Sequence, residues 1–326
     1  MAKLTVVPGS AEGPLGALVA DYLTSCKARG LSPNTLQNSY GYPLRKVLLP
    51  FCEREGITDP AGLTSRALDR LAGQLMDEGG TRGPLSRHSV HAYIRAVNHF
   101  LAWAKREGEP VQAKAQLPRL PKAVLEVLSR DEIQAMEDKA ATERDKLIIR
   151  TLADTGVRVG ELVRLRTSDL LSQGRQHYLR VAGRSQGGGA KGDRSRLVPI
   201  PRLYPRLRRY ADRGRPKDVT SDRLFISLKR RPESAGGAYQ PLTESGVQQL
   251  VRNLASTAGI QRRVYPHLLR HSYITWAIRR GMHPVQIRQI VGHESTAMID
   301  RVYTHLVPQD AYLAATKLYT DDSDGD

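Results

Sequence analysis

Six residues in five separated strings of this chain carry the functional groups needed to cleave a phosphodiester. They are Arg158 in TGVRVGEL, Lys191 in AKGDRSRLVPI, His267 and Arg270 in PHLLRHSY, His293 in IVGHES and Tyr303 in RVYTH. A tyrosine phenol has a pKa of about 10, so as a nucleophile it needs help losing its proton. Negative charge grows on the non-bridging oxygens as the phosphate becomes pentacoordinate. Arginine suits that charge, because it stays protonated and presents a planar fork of donors. Lysine suits protonation of the leaving 5′-oxygen, and histidine titrates near neutrality and can shuttle protons. Glu161 lies three residues after Arg158, one turn away on a helical face, where it can orient Arg158 or a nearby histidine. Taken singly, each has a plainer reading: a surface ion pair, a solvated helix face, a capping histidine, one tyrosine among 13. Their order along the chain is what gives them weight.

The elements that must position these groups can be read from spacing. Residues 1–12 form a flexible leader punctuated by Pro8 and Gly9. From 13 to 108 four helical patterns follow. The first has Leu15, Leu18, Val19, Tyr22 and Leu23, the second runs from Asn34 to Glu55, and the third covers Ser65 to Asp77 with Leu68, Leu71, Leu75 and Met76. The clearest, Ser86 to Arg106, puts Val90, Ile94, Val97, Leu101 and Ala104 on one face. Four such helices make an all-α domain. Residues 109–126 read as an extended linker, with prolines and few large apolar side chains. Residues 127–326 form a second domain, opened by a capping box at Ser129 and Glu132. Lys146 to Ala153 reads as a buried helix ending at Gly156, and QHYLRVAG and SRLVPI as two strands around a glycine-rich loop that holds Lys191. Helices return from Glu244, and DAYLAATKLY forms an amphipathic tail before an acidic, disordered DDSDGD end. The predicted fold class is mainly α with a small antiparallel β-sheet in the second domain.

A formal net charge of +17, with basic clusters such as PRLYPRLRRYADRGRPK, calls for a polyanionic partner, and nucleic acid is the first candidate. No apolar run approaches a membrane span, and the N-terminus lacks a secretory pattern. Cys26 and Cys52 supply neither a disulfide framework nor zinc spacing and fit a reducing cytoplasm.

The strings TGVRVGELVRL, KGDRSRLVPI, PHLLRHSYITWAIRRG, IRQIVGHES and RVYTH resemble the tyrosine recombinase, or phage integrase, family, in its compact form without a separate arm-binding domain. The resemblance covers nearly the whole chain. It implies that Tyr303 is the nucleophile and forms a 3′-phosphotyrosyl link. Arg158 and Arg270 would clamp the phosphate, Lys191 act as general acid, His267 assist the tyrosine, His293 brace the site, and Glu161 fill the acidic support position. No metal, nucleotide or other cofactor is implied, since the covalent link conserves the energy of the broken bond. The resemblance further implies a two-domain clamp on double-stranded DNA core or crossover sites, and a homotetramer on two duplexes with the tail helix exchanged between protomers. It places the chain in the cytoplasm of a bacterial cell or phage-infected bacterium. Accessory proteins and a partner recombinase stay open. The chain departs from the family pattern in two places. Its SQGGGAKGD loop is long, and is expected to seat Lys191 only in an assembled complex. MIDRVYTH lacks the threonine pair that many relatives carry before the tyrosine. Arg194 and Arg196 also flank the loop, but a guanidinium gives up its proton poorly, so Lys191 is the expected acid. Integration or excision of a mobile element or phage is the expected role. The alternatives are a chromosome- or plasmid-dimer resolvase, a type IB topoisomerase, and a DNA-binding protein without catalysis.

Overall fold

The computed structural model describes residues 13–79, 83–120, 126–183, 195–230, 237 and 239–292. These fall into two compact units, one ending at 120 and the other starting at 126.

In the N-terminal unit α1 (Pro14–Ala28) starts at a proline, whose missing N–H costs nothing at a first turn, and buries Leu15, Val19, Tyr22 and Cys26. The pattern from Asn34 to Glu55 is helical but not uniform. Thr35–Gly41 and Leu44–Leu48 are wide π-helical turns that run into α2 (Leu49–Glu55). Pro43 and Pro50 lie within this stretch and neither can donate to the preceding turn, so the backbone widens there. In α3 (Ser65–Asp77) the Thr64 hydroxyl caps the Ala67 N–H, and Ser86 caps Ser89 at the start of α4 (Arg87–Arg106). The predicted faces of α3 and α4 are buried, except that Met76 is 37% exposed and stands outside the core. Tyr22, Phe100 and Trp103 meet at ring separations of 5.4 to 6.4 Å. Within 109–126, Ala115 is buried against α4, with its N–H donating to Asn98 Oδ1 at 2.9 Å and its carbonyl accepting from Asn98 Nδ2 at 3.0 Å. The first half of that stretch is therefore extended but packed.

The C-terminal unit opens with α5 (Arg130–Asp138), whose capping box joins Ser129 and Glu132 as the sequence predicts. Next comes α6 (Glu143–Thr155), which packs on α5 and buries Leu147, Ile148, Ile149 and Leu152. Each such side chain contributes about 1.5–3 kcal/mol of transfer free energy. After the single turn α7 (Val159–Leu162), β1 (Leu170–Gln173), β2 (Gln176–Val181) and β3 (Arg196–Pro199) form an antiparallel sheet with β2 in the centre. Leu170 pairs with Leu179, and Leu179 with Val198, so one apolar row faces the core. Then follow α8 (Tyr204–Arg209), a small hairpin of β4 (Ile226–Arg230) and β5 (Tyr239–Pro241), α9 (Glu244–Thr257), α10 (Pro266–Arg279) and α11 (Pro284–Val291). Among the described residues no helix is long and apolar enough to cross a membrane. The leader, the glycine-rich loop, the tail helix and the acidic end lie outside the described residues.

Candidate active site

The end of α6 sets up the site. Gly156 caps it with φ +62°, and a Cβ there would lie 2.7 Å from Tyr273 Cδ1, so both the backbone and the space require glycine. The chain reverses through the buried Val157 and delivers Arg158 to the start of α7. Glu161, one turn on, accepts the Arg158 backbone N–H at 2.7 Å with one oxygen and Arg158 Nη1 at 3.0 Å with the other.

Three guanidiniums then converge on one helix end. Arg196 Nε donates to the Ile290 carbonyl at 2.6 Å, Arg270 Nη2 to Val291 at 2.8 Å, and Arg158 Nη2 to Gly292 at 2.9 Å. These are successive carbonyls at the C-terminus of α11, where helical bonding leaves acceptors unmatched and the helix dipole is negative. Arg270 Nη1 also donates to the Gly156 carbonyl, tying the α6 turn to the end of α11. Gly292 takes φ +66°, and a Cβ on it would come within 2.7 Å of Arg196 Nη1.

Glu161 is the counter-ion of this cluster. Arg196 grips it with both terminal nitrogens, at 2.9 and 2.8 Å, and both side chains are largely buried. Burial alone would raise the carboxyl pKa. The hydrogen bonds and charge of Arg196, followed by those of Arg158, overcome burial and bring it down to about 2. Arg270 is 1% exposed, and its Nε has no acceptor among the described residues. Burial, then the charge of Arg158, lowers its pKa, yet the guanidinium stays protonated at neutral pH.

His267 occupies the first turn of α10, three residues before Arg270, and reaches solvent. The surrounding protein first, then the charges of Arg270 and Arg158, lower its pKa. The shift favours the neutral imidazole, which can accept a proton. His271 lies beside it, ring centroids 6.2 Å apart, also with a lowered pKa, chiefly from burial. Four of the sequence-predicted residues, Arg158, Glu161, His267 and Arg270, come together in one unit. Lys191, His293 and Tyr303 lie outside the described residues, though His293 directly follows Gly292 in the chain. The residue that sequence reasoning passed over is Arg196. In sequence it stands out only as a poor proton donor beside the loop, and its partners are a carboxylate and a carbonyl far away in the chain. Among the described residues no three His, Cys, Asp or Glu side chains cluster as metal ligands would.

Comparison with known proteins places this geometry in context. The profile of the phage integrase family matches residues 126–310. The chain is 26% identical over 289 residues to a tyrosine recombinase, XerD, of Listeria monocytogenes serotype 4b (strain F2365), covering 85% of this chain and 90% of that protein. A solved structure of the XerH site-specific recombinase bound to palindromic difH substrate, a post-cleavage complex, superposes with a TM-score of 0.66. It is 18% identical and covers 97% of this chain and 99% of that one. A lambda integrase tetramer bound to a Holliday junction gives 0.64 at 16% identity, covering 88% and 76%. These two likenesses are likenesses of fold.

Proposed function

The chain belongs to the phage integrase family and is a site-specific tyrosine recombinase, and from that premise we propose that Tyr303 attacks a DNA phosphodiester, forming a 3′-phosphotyrosyl link and freeing a 5′-hydroxyl. The observation that carries this reading is the convergence of Arg158 and Arg270 on adjacent carbonyls at the end of α11, one residue before His293.

In the proposed step a scissile phosphate lies against the solvent-facing side of Arg158, whose side chain is 39% exposed. Arg158 and Arg270 balance the charge growing on the non-bridging oxygens, the kind of electrostatic stabilisation that acts most strongly where water is excluded. His267, whose neutral form is favoured first by the surrounding protein and then by Arg270 and Arg158, receives the Tyr303 proton. Lys191 protonates the departing 5′-oxygen, and His293 donates to the phosphate. Glu161 holds Arg158 in place. The 5′-hydroxyl of a second strand reverses the step, so strands exchange through a Holliday junction.

The partner is double-stranded DNA at core or crossover sites, bound by a homotetramer on two duplexes with tail helices exchanged between protomers, in the bacterial cytoplasm. The charge of +17 supports this, as does the likeness to folds solved on DNA. Affinity drawn from phosphate contacts falls steeply with salt. The role is integration or excision of a mobile element. A second reading, resolution of chromosome or plasmid dimers, draws support from the likeness to XerD, which is aligned over 90% of that protein.

The test is incubation with attachment-site DNA carrying a nick that traps the cleaved strand, followed by a denaturing gel. The expected result is a protein–DNA band for the wild type and none for Tyr303→Phe. Supercoil relaxation without recombinant product would point instead to nicking and resealing of one duplex. Binding without any covalent band would overturn the catalytic reading.

A further inference from the structure

We propose that Arg196 is a positioning residue for strand cleavage, whose guanidinium fork fixes Glu161, and through it Arg158, while its Nε fixes the end of α11. The assignment rests on the recombinase reading and deepens it.

Arg196 does not act on phosphate itself. Its side chain is 12% exposed, and all three of its nitrogens already donate, two to the Glu161 carboxylate and one to the Ile290 carbonyl. Its effect must pass through what it holds. Glu161 is shared between Arg158 and Arg196. Without Arg196, a buried carboxylate would have Arg158 as its one hydrogen-bonded cation, and Arg158 would be drawn inward. Donors that a phosphate needs would then be turned toward Glu161. The same residue holds Ile290, two positions before the Gly292 carbonyl that anchors Arg158 from its other side. Arg196 therefore braces both partners of Arg158 at once. A second observation is independent of these bonds. Gly292 lacks the Cβ that would lie 2.9 Å from Arg196 Cζ, so the backbone leaves room for a guanidinium lying flat against it. A lysine would keep the charge but has one nitrogen where three acceptors must be met in a plane.

The experiment uses the full chain and the nicked duplex. Wild type and Tyr303→Phe come first, to establish covalent cleavage. Then Arg196→Lys, Glu161→Gln and the double variant are compared for DNA affinity and for single-turnover cleavage at saturating protein, below each variant's melting temperature. The expected result is unchanged affinity with cleavage about 10- to 100-fold slower in Arg196→Lys, the size of effect seen when a hydrogen-bonding partner that orients a metal ligand is lost. The double variant should be no slower than the slower single one, because both act through one contact. Should Arg196→Lys not fold, Arg196→Gln, which keeps a planar donor beside Glu161 but loses the charge and the fork, should show the same split. Wild-type cleavage by Arg196→Lys, a defect confined to affinity, or effects that multiply in the double variant would each overturn the assignment while the recombinase reading stands. No covalent product from the wild type would sink that reading, and this assignment with it.

Discussion

The two units of this chain treat buried polarity in opposite ways. Among the described residues of the N-terminal unit, Asn98 is the one polar side chain that is buried, and it serves the backbone of Ala115. The C-terminal unit buries Glu137, Glu161, Asp169 and Arg270. Removing a charge from water is costly unless it is paired and hydrogen-bonded. Glu137 is paired with Arg150 and with Arg206 at 2.7 Å, and Asp169 with Arg180 at 2.9 Å. Those two bind elements together. The Glu161 cluster differs, because two cations share its carboxylate, a third joins them at one helix end, and all stand next to an ionisable histidine. A unit held by apolar packing leaves interaction to its surface, whereas a unit organised around charge can aim that charge at a reacting atom.

The contrast can be broken from the apolar side first. Phe100→Ala should cost the N-terminal unit about 3–5 kcal/mol. Trp103 lies in that unit and Trp276 in the other, and they are the two tryptophans of the chain. In single-tryptophan variants the Trp103 urea transition should move to lower concentration while the Trp276 transition stays. A joint shift would mean that the units unfold together.

How far such behaviour could be read from the sequence depends on the range of the interaction. The buried face of α4, the capping box at Ser129 and the glycine stop at Gly156 are local, and periodicity or spacing exposes them. The π-helical turns at Thr35–Gly41 and Leu44–Leu48 were not legible, because an apolar pattern does not report turn width. Strand β1 was missed because Leu170 is its one fully buried side chain in four residues. Met76 followed the spacing of its helix but sits at the rim of its apolar face. The Arg158–Glu161 pair was readable as neighbours one turn apart. Arg196 was not, since carbonyl acceptors leave no side-chain signature in sequence.

On the charged side, Arg270→Ala should slow covalent cleavage by about 10²–10³-fold, or about 3–4 kcal/mol, in single-turnover assays at saturating DNA. A smaller loss would reduce Arg270 to a structural tie between Gly156 and Val291.

Glu161 makes a prediction about acid stability. Its folded pKa of about 2 lies below its ordinary value of 4.5, so its contribution is complete above about pH 4.5 and is lost as pH falls toward 2. The difference in unfolding free energy between wild type and Glu161→Gln should shrink by about 3 kcal/mol across that window, measured by urea titration at a series of pH values. A difference independent of pH would mean that the carboxylate is not held ionised by Arg196 and Arg158.

The smallest effect belongs to Asn98→Ala, which leaves the Ala115 amide and carbonyl without their partner at a cost of about 1–3 kcal/mol. Hydrogen exchange at Ala115 should quicken, with the rest of α4 keeping its protection. Uniform loss of protection would show that the segment is integral to the helical core.

The most direct measurement is to digest the trapped protein–DNA complex and identify the nucleotide-bearing peptide by mass spectrometry. The chain has 13 tyrosines. The account predicts that the 3′-phosphate is carried by the peptide containing Tyr303 and by no other. A link at any other residue, or through a 5′-phosphate, would contradict it.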